Sequence, residues 1–142
     1  MVKFSDYVPD EHYNTICGWW NHYYKGTVIP KDCLPDTGVV AILHENIVAA
    51  AFIYKTNSNI VWVHFPIVSN EIRAGKRFEL LDLVVGEAVR KCKEMLGDRG
   101  VVWTCTDHAV AARAYSENGM VCSGEADVFY STVGINDTTF LE

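Results

Sequence analysis

The segment from Phe78 to Met120 constrains the fold of this 142-residue chain more than any other part. Its first part repeats apolar residues at steps of three and four, with charged residues between them, which predicts an amphipathic helix with one buried face. The repeating residues are Leu80, Leu81, Val84, Val85, Ala88, Val89, Cys92, Met95 and Leu96. Gly97 and Gly100 end this helix, because glycine favours helix C-termini.

A short strand and a second helix complete the segment. Val101 to Thr106 is apolar and short, which indicates a buried strand. His108 to Asn118 predicts a helix that Gly119 closes, and Thr106 or Asp107 is the expected N-cap.

Runs typical of strands precede this segment at Val39 to Leu43, Ile47 to Lys55 and Ile60 to Val68. The joins between them are short and polar, which predicts an antiparallel meander. Pro66 cannot donate to a ladder, so we expect the third strand to be bulged, bent or at an edge there. The following helix implies a crossover and at least one parallel pair of strands. The length fits a single domain over residues 1–142, with a mixed, mostly antiparallel sheet flanked by helices.

The two ends of the chain carry weaker signals. Glu11 to Lys25 predicts an aromatic helix, with Asp10 as N-cap and Gly26 as its stop. Its aromatic side chains either pack in the core or build an acceptor pocket or a protein-binding patch: Trp19, Trp20, His22, Tyr23 and Tyr24. Near the other end, Met120 to Ser123 and Asp127 to Val133 predict a final hairpin, and the tail after Gly134 is expected to be loose.

Charge and cysteine usage narrow the class of protein. The formal net charge is −6, which argues against nucleic-acid binding and is compatible with a cationic partner such as an amine. The five cysteines form no C-x-x-C pair, so we expect reduced thiols, a cytoplasmic protein and no zinc site. No apolar window approaches about 18 residues, so no membrane span is predicted.

A basic turn with a glycine lies just before the amphipathic helix, at Arg73-Ala74-Gly75-Lys76-Arg77. Unpaired N–H groups at a helix start carry partial positive charge and favour an anion, and glycine lets that anion approach closely. The turn therefore predicts a phosphate site, with a solvated basic turn as the alternative.

Tyr115 lies on the same helix face as Ala111, where a phenol can donate a proton or a hydrogen bond to a leaving thiolate. Packing against the sheet is the alternative. Candidate bases for an attacking amine are His64, His44, Glu71, Glu79 and His108, of which His64 on the third strand is the best placed. Cys105 suggests a thiol nucleophile, but no Cys–His–acid set follows from the spacing.

With these motifs, the chain resembles the GNAT superfamily of acyl-CoA N-acyltransferases from about Glu11 to Val133. In that family a turn of the form Q/R-x-x-G-x-G/A leads from the fourth strand into a helix. Here it corresponds to residues 72–77, in which Gly75 matches, Ile72 replaces Gln/Arg and Arg77 replaces a small residue. A later pattern, N-x-x-A-x-x-x-Y-x-x-x-G-F, matches at Ala111, Tyr115 and Gly119, with His108 and Met120 as replacements. The small size and the tryptophan-rich first helix also resemble phage-encoded members, which would work in the host cytoplasm.

The resemblance implies a first strand within Val2 to Tyr7 and direct acetyl transfer from acetyl-CoA to an amine of a small molecule or protein. Tyr115 is then the general acid and His64 the candidate base. Residues implied in cofactor binding lie along the cleft: Phe65, Ile67 and Val68 on the strand, Arg73, Gly75, Lys76 and Arg77 at the turn, and His108 and Ala111 on the later helix. The departures at Ile72 and Arg77 leave a second reading open, a GNAT fold that has lost its chemistry and binds a partner. The oligomeric state also stays open, a homodimer included.

Overall fold

The computed structural model describes residues 1–124 and 126–134. Five strands and three α-helices are formed there, with a short 3₁₀ turn at Lys31–Cys33. In chain order they are β1 (Lys3–Asp6), α1 (Pro9–Tyr24), β2 (Gly38–Leu43), β3 (Asn46–Lys55), β4 (Ile60–Val68), α2 (Ala74–Leu96), β5 (Val101–Trp103) and α3 (Ala109–Glu117).

The strands form one sheet in the order β1-β2-β3-β4-β5. β1 to β4 pair antiparallel, and β5 pairs parallel to β4. The mixed, mostly antiparallel sheet flanked by helices that the sequence predicts is therefore confirmed. The crossover through α2 provides the parallel pair, as expected for a helical connection between neighbouring strands.

Side-chain alternation gives the sheet two buried faces. On one face, α2 and α3 pack against residues such as Ala51 and Val63. On the other, Trp20 and other α1 residues pack against residues such as Phe52 and Ile67. The structure thus has three layers, with α2 and α3 on one side of the sheet and α1 on the other.

The N-terminal elements both confirm and correct the predictions. The strand implied within Val2 to Tyr7 is present as β1, although all four of its residues are exposed. Asp10 is not the N-cap of α1, since Val8 holds that position and the helix begins at Pro9. Proline is favoured at the first helical position because its φ is already helical, so the helix starts before Asp10.

The helix starts around the cleft also differ from the predictions. α2 begins at Ala74, so Gly75, Lys76 and Arg77 lie in its first turn rather than before it. β5 ends at Trp103 instead of Thr106. The N-cap of α3 is His108 and not Thr106 or Asp107. The Thr106 hydroxyl accepts a hydrogen bond from the His108 N–H at 3.1 Å, within the loop before the helix.

The predicted C-terminal hairpin is wrong for the residues that are described. Residues 120–124 and 126–134 contain no strand. Gly119 and Gly124 turn the chain at positive φ, 85° and 132°, which takes the backbone out of the conformation that a ladder needs. Val121 and Phe129 are about nine-tenths exposed, so this segment presents no buried apolar face to the sheet.

Candidate active site

A cleft opens where β4 and β5 diverge. The two strands pair only between Ile60–Trp62 and Val101–Trp103. Just beyond, Thr104 Oγ1 donates a hydrogen bond to the Val63 carbonyl at 2.6 Å, and β4 then continues alone to Val68. The cleft has a volume of about 560 Å³. Small-molecule sites typically occupy about 300–1,000 Å³, so this cleft is large enough for a ligand.

The cleft walls come from several parts of the chain. One wall is β4 from His64 to Val68, and the facing wall is residues 105–111 with Tyr115. α2 contributes residues of its first two turns, and α1 contributes Trp20, Tyr23 and Tyr24. Residues 27–29 and Val128 complete the lining.

A bulge at Phe65 and Pro66 shapes the β4 wall. Ala50 pairs with Ile67 and Phe52 pairs with His64, so two residues of β4 face the single residue Ala51. Phe65 has a φ of 54°, an unfavourable value for a bulky side chain. The extra residue shifts the alternation by one, so Ile67 packs on the α1 side of the sheet and Val68 on the α2 side. The predicted irregularity at Pro66 is confirmed.

The N-terminus of α2 forms the end of the cleft that favours an anion. Among the described residues, no hydrogen-bond acceptor faces the N–H groups of Ala74 and Gly75, as is normal for a first helical turn. Arg73 lies over this turn, since a Cβ added at Gly75 would be 3.4 Å from its Nη1. Lys76 pairs with Glu79 at 2.9 Å, and its N–H donates to the Arg73 carbonyl. Of the predicted turn, Ala74 and Arg77 line the cleft, whereas Arg73, Gly75 and Lys76 do not.

Arg77 has a different position from the one expected. Its N–H donates to the Arg73 carbonyl, and its guanidinium donates to the Ile72 carbonyl and, at 2.7 Å, to the Asn70 carbonyl. The same guanidinium lies over the Tyr23 ring, 5.7 Å from its centre. Arg77 therefore holds the β4–α2 loop next to α1. Its backbone N–H already donates a hydrogen bond within the protein and is not free for a ligand.

Tyr115 lies in the core beneath the cleft, with 5% of its surface exposed. Burial raises the pKa of its phenol to about 12, while the neighbouring Thr104 side chain acts in the opposite direction. The phenol is consequently protonated at every physiological pH, and it can donate a proton or a hydrogen bond.

His64 is the predicted base that the structure brings to the cleft from β4. Its ring stacks on Trp62 at 5.5 Å and meets the Tyr54 ring edge-on at 6.0 Å. Burial lowers the pKa of His64, because the interior disfavours the charged imidazolium. A neutral imidazole is the form that accepts a proton.

The other predicted residues divide into two groups. His108, Cys105 and Ala111 line the cleft, whereas His44, Glu71 and Glu79 do not. The His108 ring lies 6.3 Å from the Tyr24 ring, so the end of α1 meets the start of α3 across the cleft. Sequence reasoning did not anticipate this contact, nor the lining residues 27–29, because both depend on how distant segments meet.

Three further observations concern residues 1–124 and 126–134. All five cysteines are free thiols. Nowhere in these two ranges do three or more His, Cys, Asp or Glu side chains converge as metal ligands would. None of the helices in these ranges combines the length and apolarity needed to cross a membrane.

Comparison with known proteins gives a clear result at the level of structure. No protein-family model matches the sequence, and no curated protein matches it. An aminoglycoside acetyltransferase from an uncultured soil metagenomic sample, in complex with sisomicin, has a TM-score of 0.67 at 13% identity, with 93% of this chain and 96% of that chain covered. ElaA of Escherichia coli has a TM-score of 0.66 at 16% identity, with 94% and 95% covered.

A third similar structure is an acetyltransferase of the GNAT family from Staphylococcus aureus Mu50. Its TM-score is 0.62 at 17% identity, and 94% of each chain is covered. At such identities the likeness concerns the fold, and it spans nearly the whole of both chains in all three cases. This chain therefore has the mixed α/β fold of the GNAT acetyltransferases.

Proposed function

We propose that this chain is an N-acetyltransferase that transfers the acetyl group of acetyl-CoA to a primary amine. The observation that carries the proposal is the shape of the cleft. It has unpaired helix N–H groups at one end, diverging strands along its length, and a buried phenol and a neutral imidazole among its lining residues. The similar structures named above include an aminoglycoside acetyltransferase, whose activity is consistent with this chemistry.

The residues present fit a CoA thioester. Its pyrophosphate would lie against the N–H groups of Ala74 and Gly75, with Arg73 adding positive charge. Its pantetheine arm would follow Phe65 to Val68, where the strand lacks a neighbour on the β5 side beyond Val63 among the described residues. His108 and Ala111 would border the arm from the facing wall. We assign Arg77 to holding the loop at 69–73 rather than to binding phosphate.

The chemistry would be a direct transfer. The uncharged amine nitrogen bonds to the thioester carbon, and that nitrogen loses a proton to His64 as the bond from the carbon to sulfur breaks. The sulfur leaves as a thiolate, and Tyr115 donates a hydrogen bond to it. Because a thiol has an ordinary pKa of about 8.5, a phenol near 12 stabilises the thiolate by a hydrogen bond without giving up its proton completely. The thiolate then takes up the proton that His64 accepted, either directly or through solvent.

A second candidate is a protein with this fold that binds a partner without catalysis. The use of Arg77 within the protein favours it, because one cation of the predicted phosphate turn is not directed at a ligand. This reading keeps the aromatic end of α1 as the binding surface.

A kinetic comparison tests the proposed function. Tyr115→Phe should lower kcat by about 10²-fold or more, with CoA affinity unchanged, because only the hydrogen bond to the developing thiolate is lost. The assay follows thiol release from acetyl-CoA with amines as acceptors. A Tyr115→Phe variant as active as the natural protein would remove Tyr115 from the mechanism.

A further inference from the structure

We infer that the acceptor of this site is a small primary monoamine that carries an aromatic ring, an inference that rests on the proposed acyl transfer. It concerns the wall of the cleft that α1 provides.

The acceptor nitrogen belongs on the α1 side of the sheet. The His64 ring contacts Tyr54 and Phe65, which pack with the α1-side core. A base reaches its substrate only within hydrogen-bond distance or through one water, so the amine must approach from the α1 side.

The wall on this side is aromatic and is held in place. Trp20, Tyr23 and Tyr24 line it from α1. The loop that follows α1 is fixed by two half-buried phenols: Tyr13 donates to the Ile29 carbonyl at 2.6 Å, and Tyr54 donates to the Cys33 carbonyl at 2.7 Å. A preformed aromatic wall suits a flat ring, which can stack or pack edge-on against it at little cost in ordering.

Negative charge is scarce along the cleft, although the chain has 18 acidic residues and a net charge of −6. Among the described lining residues, Asp107 is the sole carboxylate, and its side chain is 82% exposed and 3.6 Å from His108. A polyamine would have to bury several ammonium groups without partners, which is costly. A monoamine avoids this cost, because it reacts as the uncharged free amine and carries no second ammonium group.

The volume also limits the acceptor. The 560 Å³ of the cleft must hold the thioester arm as well as the amine, which leaves room for a compact molecule. A ring joined to a short aminoalkyl chain meets the requirements of size, apolarity and single charge together.

The test compares acceptors at equal concentration with acetyl-CoA saturating. The panel is phenethylamine and tryptamine, butylamine as an aliphatic monoamine, sisomicin as a polyamine, and a lysine peptide. We expect kcat/KM for the two aromatic amines to exceed that for butylamine by at least tenfold, and sisomicin and the peptide to rank below butylamine. A higher kcat/KM for sisomicin or for the peptide than for both aromatic amines would overturn the inference.

Two variants test whether the α1 wall of the cleft causes the preference for aromatic amines. Tyr24→Ala should reduce the advantage of the aromatic amines over butylamine by about tenfold at saturating acetyl-CoA, and the Kd for CoA is measured beside it because Tyr24 contacts His108. Phe4→Ala, which removes a similarly exposed aromatic ring outside the cleft, is the matched control and should leave both values unchanged. If the ratio of kcat/KM for the aromatic amines to that for butylamine is the same in Tyr24→Ala and in the natural protein, the α1 wall does not bind the acceptor ring.

Calorimetry separates the failure of this inference from the failure of the proposed function. Absence of CoA binding would refute the acyl transfer itself. If CoA binds but phenethylamine at millimolar concentration does not bind the CoA complex, the acceptor class alone is wrong.

Discussion

Two helical glycines allow the packing between α2 and α3 to be tested with a built-in control. Gly86 lies inside α2, and a Cβ added there would be 2.5 Å from Asn118 Oδ1. The Asn118 amide donates to the Asp82 carbonyl at 3.0 Å and to the Ala114 carbonyl at 2.9 Å, so it joins the end of α3 to α2. Gly18 lies inside α1 and has nothing within 4 Å of such a Cβ.

The two substitutions to alanine should have opposite signs. In a helix interior, alanine is more favourable than glycine by about 0.8–1 kcal/mol. At Gly86 the flexible Asn118 amide must move, and the loss of its two hydrogen bonds costs about 0.5–1.5 kcal/mol each. Gly18→Ala should therefore stabilise the protein by about 1 kcal/mol, and Gly86→Ala should destabilise it by up to roughly 2 kcal/mol.

Thermal and urea unfolding measure the difference. A change of 1 kcal/mol corresponds to a Tm shift of roughly 4 °C for a chain of this size. In an Asn118→Ala background the obstacle is gone, so Gly86→Ala should then be stabilising, like Gly18→Ala. If Gly86→Ala stabilises the natural protein as much as Gly18→Ala does, the described contact between α2 and α3 is refuted.

Two further predictions concern the cleft. Arg77→Met removes the guanidinium that holds the Asn70 and Ile72 carbonyls, so CoA affinity should fall by about tenfold, roughly 1.4 kcal/mol, with its salt dependence preserved. Arg73→Met, by contrast, should weaken that salt dependence, because it removes an exposed positive charge that we propose lies near the pyrophosphate. An equal loss of salt dependence in both variants would contradict the structural role assigned to Arg77. Burial lowers the pKa of His64 from its unfolded value of 6.5, so its contribution to stability is complete above pH 6.5 and is lost as pH falls through the lowered pKa. Urea unfolding between pH 7.5 and 5 should show a smaller loss of unfolding free energy in His64→Gln than in the natural protein. Equal losses in the two proteins would refute the effect of burial on the His64 pKa.

The sequence predicts the central elements well because burial leaves a periodic pattern there. β4 was expected from Ile60 to Val68 and is observed with those bounds. β1 had no such pattern, since the exposed residues Lys3–Asp6 are held mainly by pairing with β2. The C-terminal segment shows the opposite failure, because Phe129 and Val133 have the composition of a strand without a buried face.

The site was partly predictable for a related reason. Tyr115 and His64 follow from local spacing and strand position, and both line the cleft. The bracing contacts of Arg77 join it to Asn70, Ile72 and Tyr23, and such contacts depend on tertiary packing that local patterns do not encode.

The central claim is that the pyrophosphate of CoA binds at the N-terminus of α2, at Ala74 and Gly75. Titration calorimetry of the natural protein with CoA and with pantetheine, which lacks the pyrophosphate, tests this claim most directly. We expect a Kd for CoA near 1 μM, about 8 kcal/mol, and binding of pantetheine at least 100-fold weaker. No heat of binding at millimolar CoA, or equal affinity for the two compounds, would contradict it.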